Sequence, residues 1–262
     1  MTLSYQIRAE IVRKEQPTGD ICRLTLEAPD IAPVAGPGQF VMVRTTAGYD
    51  PLLRRPFSVH QTTAAGTIQI LFKVIGKGTR LLAALNQGQQ VDLIGPLGKG
   101  FDIADQQPVF LIGGGIGAAP LLFLAQRLQQ QDNPPPLKVF LGAHSREEVV
   151  ALAEDFATMG LSAAIATDDG SLGHHGFVTD FLDDLPPDGA GMLYACGPYP
   201  MMRQAAKVCR EKGLRCQVSM ETFMACGLAA CLGCAIPKKN SSGYVHCCKD
   251  GPVFYADDIA WL

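Results

Sequence analysis

"QQPVFLIGGGIGAAPLLFLAQ", residues 106–126, carries no charged side chain and raises a choice between a membrane span and a soluble fold. A spanning helix needs about 20 predominantly apolar residues. Here Gly113, Gly114 and Gly115 run consecutively, and Pro108 and Pro120 punctuate the segment. Glycine clusters mark loops, and proline suits the first turn of a helix. The stretch therefore reads as a buried strand, a tight loop and a helix opening near Pro120, with no membrane span. Such a unit seeds a parallel, doubly wound sheet.

The chain around it agrees. Downstream, "LKVFLGAH", "REEVVALAEDFATMG", "LSAAIATDD", "FVTDFLDDL", "GMLYACG", "PMMRQAAKVCREKG" and "LRCQVSM" alternate strand with helix, which implies about five parallel strands. Upstream, "YQIRAEIVRKE", "DICRLTLEAP", "GQFVMVRTT", "RRPFSVHQT", "GTIQILFKVI" and "QQVDLIGPLG" are β-rich runs separated by Gly, Pro and Asp turns. One short helical run, "GTRLLAALNQG", interrupts them. They predict an antiparallel barrel of Greek-key type, or a sandwich. From about Glu221 the pattern thins, and Cys, Gly and Ala dominate. A piece that small needs something other than its own core to order it. The expected units are 1–104, 105–220 and 221–262.

Bulk properties narrow the function. The net charge of -3 comes with no basic stripe, so nucleic acid is not an expected partner. The opening "MTLSYQIRAEIVRKEQ" is charged throughout, so no secretory signal is expected. Nine cysteines in such a chain suggest a reducing compartment, where thiols are ligands or buried hydrophobes.

Several stretches suit phosphate or nucleotide. Gly113, Gly115 and Ala118 fit G-x-G-x-x-G/A between strand and helix, where small residues let backbone N–H groups approach a pyrophosphate. "YACGPYPMM", 194–202, ends a later strand and opens a helix, which puts Cys196 near the carboxyl edge where ligands bind. Cys196 reads equally as a small buried hydrophobe. In "RRPFS", 54–58, strand alternation places Arg55 and Phe57 on one face and Pro56 and Ser58 on the other. "GKGT", 76–79, offers a second phosphate cradle. "TDDGSLGHHG", 167–176, reads as a solvated loop, since adjacent His174 and His175 project differently. In "GAHSREEV", Ser145 and Arg146 suit a 2′-phosphate while Glu147 and Glu148 oppose one, so the residues leave NAD and NADP open.

The cysteines concentrate in "MACGLAACLGC", 224–234, and "CCKDGP", 247–252. Cys226-x4-Cys231-x2-Cys234 is the plant-type ferredoxin spacing for a [2Fe–2S] cluster, completed by a fourth cysteine downstream. Spacing alone leaves Cys247 and Cys248 both available. Small neighbours, among them Ala225, Gly227 and Gly233, let a loop wrap closely around sulfur. Structural zinc sites more often pair two Cys-x2-Cys knuckles, and an adjacent pair makes a poor knuckle.

In order, R-P-F-S, G-K-G-T, "GPLGKGF", "GGGIGAAP" and "CGPYPMM" resemble the ferredoxin-NADP reductase superfamily over residues 1 to about 218. The resemblance implies an FAD-binding barrel and an NAD(P)-binding parallel domain. It implies that Arg55 holds the FAD pyrophosphate, with Pro56 and Phe57 along the cofactor. Ser58 would sit near flavin N5, closest to hydride transfer. Leu71, Phe72 and Lys73 would line the flavin, and Gly78 and Thr79 would contact phosphate. Gly113, Gly115, Gly117, Cys196, Gly197 and Pro198 would border the nicotinamide. The tail, "ETFMACGLAACLGCAIP" with "CCKDGPVF", resembles the electron-transfer subunits of dihydroorotate dehydrogenase B. That aligns Cys248 as the fourth cluster ligand and leaves Cys247 without a role.

These resemblances imply an oxidoreductase chain with FAD, a [2Fe–2S] cluster and NAD. Electrons would come from the FMN of a catalytic partner subunit that oxidises dihydroorotate in pyrimidine biosynthesis. They also imply a heterotetramer of two such pairs, a cytoplasmic location and no membrane or nucleic-acid partner. Two other readings are a free-standing NAD(P)H-ferredoxin-type reductase, or subunit of another flavin-based redox complex, and a zinc-stabilised interaction module.

Overall fold

The computed structural model describes residues 3–103, 107–239 and 242–261, so the boundary expected at 104/105 lies outside the described residues. The first unit holds β1 (Tyr5–Glu15), β2 (Ile21–Glu27), β3 (Phe40–Arg44), β4 (Arg55–Thr62), β5 (Thr67–Lys73) and β6 (Gln90–Leu97), with helix α1 (Lys77–Ala83) between the last two. They close into a barrel of order β1-β2-β5-β4-β3-β6. With β6 beside β3, ahead of β4 and β5, the path is a Greek key. Closure decides against the sandwich and removes exposed strand edges. Alternate residues such as Leu24, Leu26, Val41, Val43, Ile68 and Ile70 fill the interior, and Leu82 of α1 joins them.

The segment at 106–126 becomes β7 (Val109–Gly114), a 3₁₀ turn at 115–118 and α2 (Ala119–Gln129), with Pro120 in its first turn. Then follow β8 (Leu137–Ala143), α3 (Arg146–Thr158), β9 (Ala163–Thr167), β10 (His174–His175), β11 (Met192–Cys196), α4 (Tyr199–Lys212) and β12 (Arg215–Ser219). Among the described residues no helix is long and apolar enough to cross a membrane. The parallel part of the sheet runs β10-β9-β8-β7-β11-β12, one short strand more than expected. That strand forms because the loop after β9 turns back tightly, so that a Cβ at Gly173 would lie 2.1 Å from the Ile165 oxygen. "FVTDFLDDL" forms a 3₁₀ helix at 178–184 where helical pattern suggested a regular helix. Asp180 Oδ2 accepts the Phe177 N–H at 3.1 Å, tightening the first turn, and Pro186 and Pro187 follow directly.

The tail is anchored on both larger units. β13 (Ala235–Pro237) and β14 (Tyr244–His246) form a hairpin, and β15 (Val253–Tyr255) pairs antiparallel with β12 at the edge of the large sheet. Cys234, Ile236, Cys247 and Phe254 share one buried cluster with Met42 of the barrel and Val218 of the sheet. The contact with Met42 is tight, for a Cβ at Gly227 would lie 2.5 Å from its Cγ.

Candidate redox site

The barrel presents a cavity to the sheet, walled by Arg55, Pro56, Phe57, Ser58, Leu71 and Phe72. Phe57 and Phe72 stand 5.1 Å apart and tilted, making an aromatic wall. The two adjacent arginines divide their work. Arg54 is structural, donating to Asp92 Oδ2 at 2.8 Å and to the Asp92 carbonyl at 2.9 Å. The Arg55 guanidinium faces the cavity, steadied by the Leu53 carbonyl at 2.7 Å. Gly78 lies against it, and a Cβ there would come within 3.3 Å of Arg55 Nε and 3.4 Å of Thr45 Oγ1. The buried Thr45 hydroxyl has no hydrogen-bond partner among the described residues, so an open polar cradle sits beside the cation. Thr79 Oγ1 holds the turn by accepting the Ile75 and Gly76 N–H groups at 3.1 and 3.0 Å.

A second cleft lies at the carboxyl edge of the sheet, walled by Gly114, Gly115, Gly117, Gly197 and Pro198. Here glycine is required by contact. A Cβ on Gly117 would lie 2.5 Å from Gly197 Cα, so the turns after β7 and β11 meet backbone to backbone. Gly113 lies beneath the turn, where a Cβ would sit 2.6 Å from that of Ala118. Gly115 takes a left-handed φ of 52° with open space above it. Cys196 is buried at the end of β11, its Sγ 3.8 Å from the Ser219 carbonyl oxygen, and burial pushes its thiol well up. It lies under the cleft floor, while its neighbours Gly197 and Pro198 line the cleft.

The two cavities share a wall. Lys73, Gly117, Met220 and Glu221 line both. Lys73 pairs with Glu148 of α3 and, at 3.2 Å, with Asp20, and the Glu148 hydrogen bond leads in raising its pKa. Desolvation in the cleft raises the Glu221 carboxyl although solvent still reaches the side chain. Sequence reasoning missed Met220, Glu221 and Thr222. Their only signal is position, directly between a buried strand and the cysteine loop.

The thiol loop starts four residues past Thr222. Cys226 Sγ accepts the Leu228 and Cys231 N–H groups at 3.3 and 3.4 Å. Cys248 Sγ accepts Ala229 N–H at 3.3 Å, and Cys234 Sγ accepts Cys248 N–H at 3.4 Å. The Cys234 and Cys248 sulfurs stand 3.3 Å apart. Left-handed φ angles at Gly227 (69°), Ala229 (61°) and Leu232 (57°) turn the N–H groups inward toward sulfur. Burial opposes ionisation of Cys226, but the N–H groups of Leu228, Cys231 and Ala230 outweigh it and hold its thiol at about 7. Burial, and then the Cys234 sulfur, push Cys248 up to about 11. Cys247 faces away. It is fully buried, its thiol donates to the Met220 carbonyl at 3.2 Å, and burial pushes it up to about 12.

Residues 221–260 match the family model for the iron-sulfur cluster binding domain of dihydroorotate dehydrogenase B. The chain belongs to the family of dihydroorotate dehydrogenase B electron-transfer subunits. Residues 8–101 match an oxidoreductase FAD-binding domain and 111–207 an oxidoreductase NAD-binding domain. Within the family, the dihydroorotate dehydrogenase B (NAD(+)) electron transfer subunit of Desulforamulus reducens is 39% identical over 244 residues, covering 91% of this chain and 92% of that one. Its counterpart in Caldanaerobacter subterraneus subsp. tengcongensis is 32% identical, covering 98% and 99%. A chain of the NADH-dependent reduced ferredoxin-NADP oxidoreductase, studied for flavin-based electron bifurcation, superposes with a TM-score of 0.86 at 29% identity, covering 97% of this chain and 90% of that one. The ferredoxin-NADP reductase of Neisseria gonorrhoeae shares the fold alone, with a TM-score of 0.65 at 17% identity over 79% of this chain and 92% of that one.

As a member of this family the chain is an oxidoreductase component with FAD, NAD and iron–sulfur binding domains. Its own residues fit these groups. A polar cradle beside Arg55 and an aromatic wall suit a flavin nucleotide, and glycine-only turns at a sheet edge suit a dinucleotide. Sulfurs already receiving backbone N–H bonds suit an iron–sulfur cluster.

Proposed function

We propose that this chain carries electrons from the FMN of a catalytic partner subunit, which oxidises dihydroorotate to orotate, to NAD+. The observation that carries this reading is the shared wall. Met220–Thr222 border the barrel cavity, Met220 and Glu221 also border the glycine cleft, and the Met220 carbonyl accepts from the thiol of Cys247, the residue next to Cys248. Three redox sites therefore abut in one short path.

Bound FAD exchanges electrons in pairs with a nicotinamide and singly with a cluster, which is why its site belongs between the other two. In this reading Arg55, Gly78 and Thr79 hold the pyrophosphate. Pro56, Phe57, Leu71, Phe72 and Lys73 flank the ring, and Ser58 orients its reactive edge. Gly113, Gly115, Gly117, Cys196, Gly197 and Pro198 build the nicotinamide side. Cys226, Cys231, Cys234 and Cys248 hold a [2Fe–2S] cluster, with the exposed Cys231 side turned outward. The units are 1–104 for FAD, 105–220 for NAD and 221–262 for the cluster. The partner meets the apolar rim of the thiol loop, where Phe223, Leu228 and Leu232 are exposed. We further propose a heterotetramer of two chains of each kind, in the cytoplasm.

The likeness to the NADH-dependent ferredoxin-NADP oxidoreductase chain favours a second reading, a subunit of another flavin-based redox complex. Co-purification decides between them. A partner whose FMN is reduced by dihydroorotate, with electrons appearing as NADH, supports the first. A partner inert to dihydroorotate but reactive with ferredoxin supports the second. A colourless chain holding zinc would leave only the interaction module.

A further inference from the structure

We infer that Trp261, the single tryptophan of the chain, is a positioning residue for the dinucleotide and acts through Tyr199 at the edge of the glycine cleft. The inference rests on the nucleotide reading of that cleft given above, and it adds the C-terminal segment to the site. Tyr199 opens α4 directly after Pro198, and it lines the cleft together with Met202, three residues further along the helix. The cleft floor is the backbone contact of Gly117 with Gly197, so a dinucleotide lying over it meets Tyr199 and Met202 on the α4 side. Behind Tyr199 stands Trp261, with the ring centroids 5.3 Å apart and the planes tilted by 50°. Trp261 also packs against the buried cluster that contains Met202 and Met220, two methionines that line the cleft.

Trp261 is itself held from several sides. Its Nε1–H donates to the Ala256 carbonyl at 2.8 Å, which closes the segment 256–261 on itself. Ile259 is buried and bridges to Lys238, and Ala260 N–H donates to the Pro237 carbonyl at 3.1 Å. Lys239 N–H donates to the Asp258 carbonyl at 2.9 Å. The Asp257 carboxylate accepts from Arg210 of α4 at 3.0 Å and from Lys239 at 3.4 Å. The segment is therefore tied to the β13–β14 hairpin of the cysteine tail on one side and to α4 on the other. A tryptophan held in this way is a fixed surface, and Tyr199 rests on it. Tilted aromatic pairs are favourable beyond the area they bury. A cleft wall ordered before the ligand arrives loses less freedom on binding. The tail thus supports the nucleotide cleft as well as carrying the cysteines, and one short segment joins the two.

The test uses the complex purified with its flavin and iron, as wild type, Trp261→Ala, Trp261→Phe, Tyr199→Ala and the double variant carrying both alanines. Anaerobic bleaching of the flavin band by NADH gives an apparent Kd and a limiting rate for each. Trp261→Ala should raise the Kd by about three- to tenfold, the range of one lost aromatic pair, and leave the limiting rate within about twofold. Trp261→Phe should recover most of the affinity. Tyr199→Ala should raise the Kd at least as far, and the double variant should go little further, because one residue acts through the other. In the wild type, the emission of Trp261 should change saturably with NAD+, which reaches Tyr199 without reducing the flavin. That titration carries the test if Trp261→Ala loses its cofactors. An unchanged Kd in cofactor-replete Trp261→Ala, additive effects in the double variant, or emission blind to NAD+ at concentrations that inhibit bleaching by NADH overturns the role of Trp261 and spares the nucleotide site. A wild type whose flavin NADH does not bleach overturns the nucleotide reading itself, and the role of Trp261 with it.

Discussion

Cys247 and Cys248 are neighbours in sequence with opposite surroundings. One thiol donates to the Met220 carbonyl in a fully buried pocket, and the other meets Cys234 and the Ala229 N–H. Cys248→Ser should therefore strip most of the iron from the purified chain, measured by iron content and visible absorbance. Cys247→Ala should retain the iron but lower stability by about 1–3 kcal/mol through the lost hydrogen bond and the small cavity, read from thermal or denaturant melts. Gly117→Ala makes a third test. Its Cβ would strike Gly197 Cα, so flavin should stay bound while reactivity toward NADH falls by about tenfold or more. At this scale the sequence was partly legible. The Cys226, Cys231 and Cys234 spacing is local, and so is the R-P-F-S strand. The choice between two adjacent cysteines depends on which way each side chain faces, and that is set by Met220, 27 residues away.

Among elements, the barrel strands were legible because each is a β-rich run of at least five residues bounded by turn residues, with β1 also alternating between more and less buried positions. β10 and β15, of two and three residues, have no room for such a pattern and exist through their pairing with β9 and β12. The barrel also carries a testable ion pair. Burial of Asp92 pushes its carboxyl up, but the hydrogen bonds from Arg54 and Gln6 outweigh this and hold it below the ordinary value. Its folded-state pKa lies below the unfolded one. The pair's stabilisation is therefore present above the ordinary aspartate pKa and is lost as pH falls through the lowered value. Asp92→Asn should cost about 1–3 kcal/mol at neutral pH, with the difference from wild type shrinking as pH falls below the ordinary aspartate value, measured by melts across pH.

Across the whole molecule, electron transfer depends on the barrel and sheet keeping one orientation. A buried contact fixes it. His60 of β4 has Nδ1 2.6 Å from the Ala119 carbonyl and Nε2 3.2 Å from Asp155 Oδ2, and Arg23 of β2 pairs with the same carboxylate. His60→Ala should leave each unit folded but slow flavin reduction by NADH, read by stopped-flow, because the nicotinamide and flavin cavities lose their register. Nothing in the sequence marked His60 or Asp155, which are 95 residues apart and meet only after both units have formed. The central claim is that three redox sites adjoin in one chain. The most direct measurement is the anaerobic visible spectrum of the purified chain before and after NADH. The account predicts flavin bands overlaid by cluster absorbance, both bleached by NADH. A colourless chain that contains zinc and is inert to NADH would contradict it.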